Sequence, residues 1–333
     1  MLLPATLTRH PSLNSLVSAM PPNCLVTGGG GFIGSHLVDG LVAAGHAVRV
    51  LDDFSTGDRG NLAHLTPEQV ELVSGSVTDP DAVARAVAGV SVVYHLAAMA
   101  SVAKSLEDPV GCHAVCATGT LNVLNAARLG GVRRVVYAAS SSAYGAASDP
   151  AGQGEETALN PLSPYAAAKL AGENYLEAFA ASYGLETVRL RFFNIFGPRQ
   201  RADSPYSGVI AIFTGLLTAG KSPVVHGDGL QVRDFVAVAD CVQALMKAGV
   251  TPGVSGRVFN VGTGRGVTVL GLVAALNAVL GTAVAPRHGD ARTGDVRFSL
   301  AKIGRIRAAL GYEPAVSFEE GLRRTVAWYK TLA

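Results

Sequence analysis

The stretch Thr27 to Gly34, TGGGGFIG, constrains the possible fold of this chain more than any other. It follows a short apolar run, Cys24 to Val26, and precedes residues whose apolar positions recur at helical spacing. In a strand, turn and helix of this kind, Gly28 and Gly31 let the backbone approach a pyrophosphate, and Gly34 lets the helix pack on the strand. The spacing is G-x-x-G-x-x-G rather than G-x-G-x-x-G. We predict a dinucleotide-binding turn.

Two acidic residues, Asp52 and Asp53, follow the next apolar segment, AVRVL at 47–51. A carboxylate at the end of the second strand, about 20 residues beyond the glycines, can accept both hydroxyls of an adenosine ribose. It would also repel a 2′-phosphate, so the pattern favours NAD over NADP. The alternative is that Asp52 only caps a helix or a turn.

Strand and helix patterns alternate along the first part of the chain. Further strands are predicted at 70–73, 90–95, 132–139 and 186–193, and helices at 81–88 and from about 108 to 129. This spacing is typical of right-handed crossover units, so we predict an α/β fold with a Rossmann-type, doubly wound parallel sheet. We assign 23–193 to an NAD-binding domain to which part of the later chain returns. Residues 194–333, richer in Gly and Pro, are assigned mainly to a smaller C-terminal α/β lobe that binds the substrate.

The composition excludes several classes of protein. Of the 333 residues 49% are hydrophobic and 16% are charged, and the formal net charge of +2 gives no reason to expect a nucleic-acid partner. No apolar run is long enough for a membrane span or a signal core, so we expect a cytoplasmic protein. We expect residues 1–22 to be a disordered tail, with Met20 as an alternative start of the folded protein. Cys112 and Cys116 are interpreted as helix packing, and no metal is predicted.

Three polar residues form a candidate catalytic group. Ser163 and Pro164 are good helix-starting residues, and on that helix Tyr165 and Lys169 share one face. A phenol titrates near pH 10, and a neighbouring ammonium group stabilises the phenolate and moves its pKa towards neutrality. Ser140, at the end of a predicted strand, can hydrogen-bond a substrate hydroxyl while the phenolate takes its proton. A surface helix pair is the plain alternative for Y-x-x-x-K alone.

These motifs together resemble one family. TGGGGFIGSHL (27–37), VLDDFSTG (50–57), YHLAA (94–98), YAASSSAYG (137–145), NPLSPYAAAKLAGE (160–173), LRFFNIFGPRQ (190–200), VHGDGLQVRDF (225–235) and RTGDVRFSL (292–300) are similar to stretches of extended short-chain dehydrogenases/reductases of the nucleotide-sugar epimerase/dehydratase group. Within that group the chain is most similar to UDP-hexose 4-epimerases. The resemblance implies a tightly held NAD, a transient 4-keto sugar and no net redox change.

The resemblance also implies roles for individual residues. Tyr165 is the expected base, Lys169 its partner and ribose ligand, and Ser140 the third catalytic member. The expected cofactor site consists of Gly28, Gly31, Phe32, Ile33, Gly34, Asp52, Asp53, Phe54, Thr56, Gly57, Ser76, Val77, Leu96, Ala97, Ala98, Ala100, Cys116, Tyr165, Lys169, Phe192 and Phe193. The expected substrate site consists of Ser140, Ser141, Ser142, Tyr165, Asn194, Gly208, Val209, Val225, His226, Arg233, Arg292, Asp295 and Ser299. Arg233 and Arg292 are expected to clamp the diphosphate, although each could be an ordinary surface charge.

Other positions bear on the substrate. Ser141 and Ser142 stand where dehydratases and decarboxylating relatives carry acidic residues, which favours an epimerase. Ser299 stands where some relatives have a tyrosine, so we expect room for an N-acetyl group. Three departures from the family pattern are Ser76 for an aspartate, Cys116 for an asparagine and Lys302 for an aspartate; none touches the Tyr165–Lys169 pair.

The sequence leaves two alternatives open. A 4-epimerase of UDP-glucuronate is the second candidate among enzymes, because the serine cluster could also serve a carboxylate. A non-catalytic NAD-binding scaffold is the candidate outside enzymes, and retention of the catalytic residues argues against it. The family forms homodimers through a four-helix bundle, for which the 108–129 helix and the Tyr165 helix are the candidates.

Overall fold

The computed structural model describes residues 23–146, 149–201, 208–291 and 296–332. A seven-stranded parallel sheet forms its centre. In chain order its strands are β1 (Asn23–Thr27), β2 (Ala47–Asp52), β3 (Val70–Ser74), β4 (Val92–His95), β5 (Arg134–Ser140), β6 (Glu186–Phe192) and, after three strands described below, β10 (Arg257–Val261). Their order across the sheet is β10-β6-β5-β4-β1-β2-β3, and every pair is parallel. The predicted Rossmann-type sheet is therefore confirmed.

The strand order creates a crevice at one edge of this sheet. From β1 the chain proceeds outwards through β2 and β3, then crosses back and proceeds the other way from β4. Ligands of open parallel sheets bind where the order reverses, beyond the carboxyl ends of the strands. The ends of β1 and β4 flank that point here.

Helices cover both faces of the sheet. In the first part of the chain they are α1 (Phe32–Ala43), α2 (Pro80–Val87), α3 (Val102–Glu107), α4 (Pro109–His113), α5 (Gly119–Leu129) and α6 (Pro164–Tyr183). One core cluster includes Leu37 and Leu41 of α1, and the cluster on the opposite face includes Val83, Leu124 and Leu176. The helix predicted from about 108 to 129 begins at Pro109, but it contains a π-helical turn at Ala114–Thr118 that the sequence pattern does not show.

The later chain builds a second, smaller group of strands and helices. These are β7 (Asn194–Phe196), α7 (Val209–Thr218), β8 (Val224–His226), β9 (Val232–Ala237), α8 (Val238–Val250), β11 (Gly266–Thr268), α9 (Val269–Leu280), β12 (Arg287–Gly289), β13 (Phe298–Ser299), α10 (Gly304–Leu310) and α11 (Phe318–Lys330). Strands β7, β11 and β13 all pair with β9, and β12 pairs with β8. Since β10 joins the central sheet, the two groups are interleaved in sequence. None of the helices in the described ranges combines the length and apolarity of a membrane span.

Candidate active site

The glycine-rich turn joins β1 to α1 at the crevice. Gly28 has φ of +72°, and a Cβ at this position would lie 2.8 Å from the backbone nitrogen of Ala97. A Cβ at Gly34 would collide with the carbonyl oxygen of Gly28, so the helix packs on the turn only without one. Helix α1 has Gly31 as its N-cap and no capping side chain, which leaves first-turn N–H groups, including those of Phe32 and Ile33, for an anionic ligand.

Asp52 ties the end of β2 to this turn. It is only 8% exposed, and its carboxylate accepts hydrogen bonds from the N–H groups of Gly30 and Phe54, both at 2.8 Å. Burial raises the pKa of the Asp52 carboxyl, and these two hydrogen bonds oppose the shift. Because each carboxylate oxygen has a second acceptor position, the turn-capping and ribose-binding interpretations are compatible. Asp53 is exposed and accepts from the Ser55 N–H at 2.9 Å.

The other predicted cofactor residues lie on the loops that follow the same strands. The N–H groups of Leu96 and Ala97 each lie 3.2 Å from Thr27 Oγ1, which fixes the segment that continues through Ala98 to Ala100. The loop after β2, which contains Phe54, Thr56 and Gly57, touches the glycine turn, and the loop after β3 contains Ser76 and Val77. Phe192 is the register partner of Ser140, and Phe193 follows it. Most of the predicted cofactor residues therefore lie at the carboxyl ends of β1 to β6.

Ser140, Tyr165 and Lys169 are brought together on the other side of the crevice. Ser140 ends β5, where its Oγ accepts hydrogen bonds from the Ser142 hydroxyl at 2.8 Å and N–H at 3.2 Å. Helix α6 is capped by Ser163, whose Oγ accepts from the Ala166 N–H at 3.1 Å, so the predicted helix start is confirmed. The first turn of α6 carries Tyr165, close enough to the Ser140 side chain for that hydroxyl to influence the Tyr165 pKa.

Lys169 is buried below Tyr165. It is 2% exposed, and its ammonium lies 4.1 Å from the centroid of the Tyr137 ring, a cation–π contact. Burial raises the pKa of Tyr165, whereas the charge of Lys169 and the hydrogen bond with Ser140 lower it. Lys169 thus lowers the Tyr165 pKa, as predicted, although the loss of hydration on burial is the larger effect and the net shift is upwards.

A buried hydrogen-bond chain, which sequence analysis missed, connects the glycine turn to the π-helical turn. His95 Nδ1 lies 2.7 Å from Thr27 Oγ1, and His95 Nε2 lies 3.0 Å from Thr120 Oγ1. Thr120 in turn donates to the Cys116 carbonyl at 2.7 Å. Thr27 Oγ1 already accepts from two N–H groups, so its hydrogen points to Nδ1. Nε2 therefore carries the proton and donates to Thr120. In the sequence, His95 is marked only by its place in the family stretch YHLAA (94–98).

Replacing His95 with Gln is expected to flatten the dependence of stability on pH. Burial, aided by the Lys169 charge, lowers the His95 pKa from 6.5 to about 3. The unfolded chain therefore binds a proton that the folded protein does not, and His95 stabilises the fold above pH 6.5 and loses this contribution as pH falls towards 3. Urea unfolding at several pH values between 6.5 and 5 should show the wild type losing stability faster than His95→Gln, by up to about 1.4 kcal/mol per pH unit. Parallel curves would show that His95 does not stay neutral in the folded state.

Two residues predicted to lie at the ligand sites have fully buried side chains. Cys116 is fully buried with Cys112 in a small cluster between α4 and α6, which agrees with the packing interpretation of the pair. Val225 is fully buried in the core of the smaller lobe. Since neither side chain is exposed, a contact of Cys116 with the cofactor or of Val225 with the substrate would have to be made by the backbone. Both assignments stay predictions.

The smaller lobe presents the remaining predicted substrate residues. Asn194 donates from Nδ2 to the Asp234 carbonyl at 3.1 Å, and Ser299 is the register partner of Arg233. Arg233 donates to the carbonyls of Val232 at 2.8 Å and Val296 at 2.7 Å. The backbone therefore uses part of this guanidinium, which has five donors in all. Gly208 and Val209 start α7, Ser141 and Ser142 lie in a 3₁₀ turn after β5, and His226 Nδ1 lies 3.0 Å from the Asp290 carbonyl. Arg292 and Asp295 lie outside the described residues.

Fold and site together define a class: Rossmann-type dinucleotide-binding proteins with a serine, tyrosine and lysine beside the crevice. The model of the NAD dependent epimerase/dehydratase family matches residues 24–262. The chain belongs to this family.

Relatives in this family cover almost the whole chain. A UDP-glucose 4-epimerase of Mycolicibacterium smegmatis is 40% identical over 92% of this chain and 98% of its own length. The crystallised UDP-N-acetylglucosamine 4-epimerase of Methanobrevibacter ruminantium, in complex with UDP-N-acetylmuramic acid, has a TM-score of 0.89 and 35% identity, covering 94% and 100% of the two chains. A UDP-glucose 4-epimerase of Thermus thermophilus in complex with NAD has a TM-score of 0.84 and 36% identity, covering 93% and 100%. The protein is thus an enzyme of an NAD-dependent family, with NAD as its cofactor.

Proposed function

We propose that this protein is a 4-epimerase of UDP-hexoses, acting on UDP-glucose/UDP-galactose and on UDP-N-acetylglucosamine/UDP-N-acetylgalactosamine. The observation that carries the proposal is the placement of Ser140, Tyr165 and Lys169 across the crevice from the glycine turn. Two relatives, 40% and 35% identical, are named UDP-glucose 4-epimerase and UDP-N-acetylglucosamine 4-epimerase, which supports UDP-sugars as the substrates.

Three side chains act together on the proton of the C4 hydroxyl of the sugar. Tyr165 takes the proton of the C4 hydroxyl, Ser140 hydrogen-bonds the same oxygen, and the buried Lys169 charge favours the phenolate. NAD, held by the glycine turn and Asp52, supplies a reversible hydride acceptor when bound. The 4-keto sugar must then turn over in the pocket, so that reduction on its other face gives the epimer while Tyr165 returns the proton.

The neighbours of Ser140 support an epimerase over an eliminating enzyme. Ser141 and Ser142 begin the 3₁₀ turn that follows β5, and the Ser142 hydroxyl is bound to Ser140 Oγ. No carboxylate stands at these two positions, whereas elimination needs an additional acid–base group there. The same hydroxyls could bind a sugar carboxylate, so UDP-glucuronate is the second candidate substrate.

Ser299→Tyr is expected to lower turnover of UDP-N-acetylglucosamine at least tenfold and to leave turnover of UDP-glucose within about threefold. Ser299 lies on β13 and is partly exposed, and a phenol ring there would fill space that an N-acetyl group needs. Steady-state rates on both sugars test this, with Ser299→Ala as the control that adds no volume. Full N-acetylglucosamine turnover by Ser299→Tyr would contradict the assignment.

We propose that two copies of the chain pair through α3–α6. Exposed apolar side chains are concentrated there: Leu106 is 65% exposed, Val110 78% and Leu129 71%. Apolar surface of this kind commonly marks an interface. Val110→Asp is therefore expected to convert a dimer to a monomer in sedimentation experiments, whereas Leu332→Asp, at a position 65% exposed outside these helices, should not. A monomeric wild type would contradict the proposal.

Turnover of the purified protein tests the proposed function directly. Without added NAD, the protein is given UDP-glucose, UDP-N-acetylglucosamine and UDP-glucuronate, and inversion at C4 is scored by NMR. We expect inversion of the first two, with retained cofactor. Inversion of UDP-glucuronate alone would favour the second candidate. If none of the three sugars is inverted at C4, even after NAD is supplied, a non-catalytic role would be favoured.

A further inference from the structure

The side chain of Gln153 holds the backbone on both sides of Ser299. Gln153 is 2% exposed; its Nε2 donates to the Phe298 carbonyl at 2.9 Å, and its Oε1 accepts from the Leu300 N–H at 3.0 Å. The main chain extends this pairing, because the Gln153 N–H donates to the Leu300 carbonyl at 2.7 Å and its carbonyl accepts from the Lys302 N–H at 2.9 Å. The side-chain amide of Gln153 thus makes the hydrogen bonds to Phe298 and Leu300 that a neighbouring strand would otherwise make.

Strand β13 depends on this pairing because it is so short. It consists of Phe298 and Ser299 alone, and it pairs on its other edge with β9, where Ser299 lies opposite Arg233. A two-residue strand makes few backbone hydrogen bonds of its own, so its neighbours fix its position. With β9 on one edge and Gln153 on the other, Ser299 is held from both sides.

The same residue connects Ser299 to the catalytic side of the crevice. The Gln153 carbonyl accepts from Asn260 Nδ2 at 2.9 Å, and Asn260 Oδ1 accepts from the Tyr144 hydroxyl at 2.6 Å. Tyr144 ends the 3₁₀ turn that begins directly after Ser140. Gln153, Asn260 and Tyr144 are at most 2% exposed, so these hydrogen bonds are shielded from water and fix the geometry firmly.

We propose that Gln153 is a positioning residue for sugar discrimination: it sets the distance between Ser299 and the catalytic Ser140 without touching the substrate. The inference rests on the function proposed above. It predicts that loss of the Gln153 amide changes recognition of the sugar and leaves recognition of the uridine diphosphate portion unchanged, because Phe298 and Leu300 lose partners only around Ser299.

Gln153→Met tests this, because methionine matches the length of glutamine but has neither amide group. Dissociation constants of the full-length protein for UDP-N-acetylglucosamine, UDP-glucose and UDP are measured by calorimetry. We expect affinity for UDP-N-acetylglucosamine to fall about tenfold, as for loss of one or two buried hydrogen bonds, and affinity for UDP to stay within twofold. In kinetics, KM for the N-acetylated sugar should rise while kcat stays within about threefold.

Gln243 supplies a matched control. Its amide makes the same two-point contact with another backbone segment, donating to the Glu313 carbonyl and accepting from the Glu313 N–H, both at 3.1 Å. Gln243→Met should leave all three dissociation constants unchanged. Gln153→Glu is the second variant, to be used if Gln153→Met does not fold. It keeps the acceptor for the Leu300 N–H but places a carboxylate oxygen against the Phe298 carbonyl, so it should also impair sugar discrimination.

The outcomes separate the inference from the proposed function. A Gln153 variant with unchanged discrimination, or one that weakens UDP and both sugars equally, would overturn the inference and leave the function standing. A wild-type protein that binds UDP but no UDP-sugar would overturn the proposed function, and the inference with it.

Discussion

Tyr165→Phe is expected to lower kcat for C4 epimerisation by about 10²–10⁴-fold, the usual contribution of a positioned acid–base group. The change removes only the hydroxyl, whose pKa both Ser140 and the Lys169 charge lower. NAD binding should persist, because the glycine turn, Asp52 and Lys169 are untouched. Rates are measured on the favoured UDP-sugar, and retained NAD is measured by absorbance after denaturation.

A second tyrosine on the same helix provides the control for this variant. Tyr183 ends α6 and is 55% exposed, so Tyr183→Phe should leave both kcat and NAD content unchanged. If Tyr165→Phe lost NAD and activity together, the hydroxyl would be holding the cofactor rather than moving a proton. If it kept more than a tenth of the wild-type rate, another group would be the base.

The sequence predicted those parts of the site that depend on neighbours in the chain. The glycine turn, the cap at Ser163 and the Tyr165–Lys169 spacing are each decided within one turn and the adjoining element, so local patterns identify them. The parallel sheet followed from the alternation of strands and helices. Its order could be expected from the family but not from the pattern alone.

The missed features depend on partners far away in sequence. His95 binds Thr27 across 68 residues, and Gln153 binds Phe298 across 145. A histidine at the end of a strand or a glutamine in a loop has no local signal that specifies such a partner. The π-helical turn at Ala114–Thr118 was missed for another reason, since one additional residue in a turn barely alters helical spacing. The burial that opposes the effect of Lys169 on the Tyr165 pKa was not predicted, because burial follows from packing between distant segments.

Glu173→Leu is expected to destabilise the fold by about 3–5 kcal/mol, the cost of leaving a buried charge without its partner. Glu173 is 1% exposed, and both of its carboxylate oxygens accept from Arg191, with Nε at 2.9 Å and Nη2 at 2.8 Å. Burial by itself would lower the Arg191 pKa, but the hydrogen bonds and charge of Glu173 raise it above its ordinary value. Arg191 therefore stays charged, and it also donates to the Tyr144 hydroxyl at 3.0 Å. Urea unfolding at pH 7.5 measures the loss.

Two further variants show whether the unpaired charge, rather than lost packing, carries this effect. Glu173→Leu combined with Arg191→Met removes both charges, and should recover much of the stability because apolar pairs of similar volume often replace buried ion pairs without loss. Glu71→Ala breaks the surface pair of Glu71 with Arg49, in which Glu71 is 59% exposed, and should cost at most about 1 kcal/mol. A double variant no more stable than Glu173→Leu alone would mean that the contact with Tyr144, and through it the link to Asn260 and Gln153, is the larger contribution of Arg191.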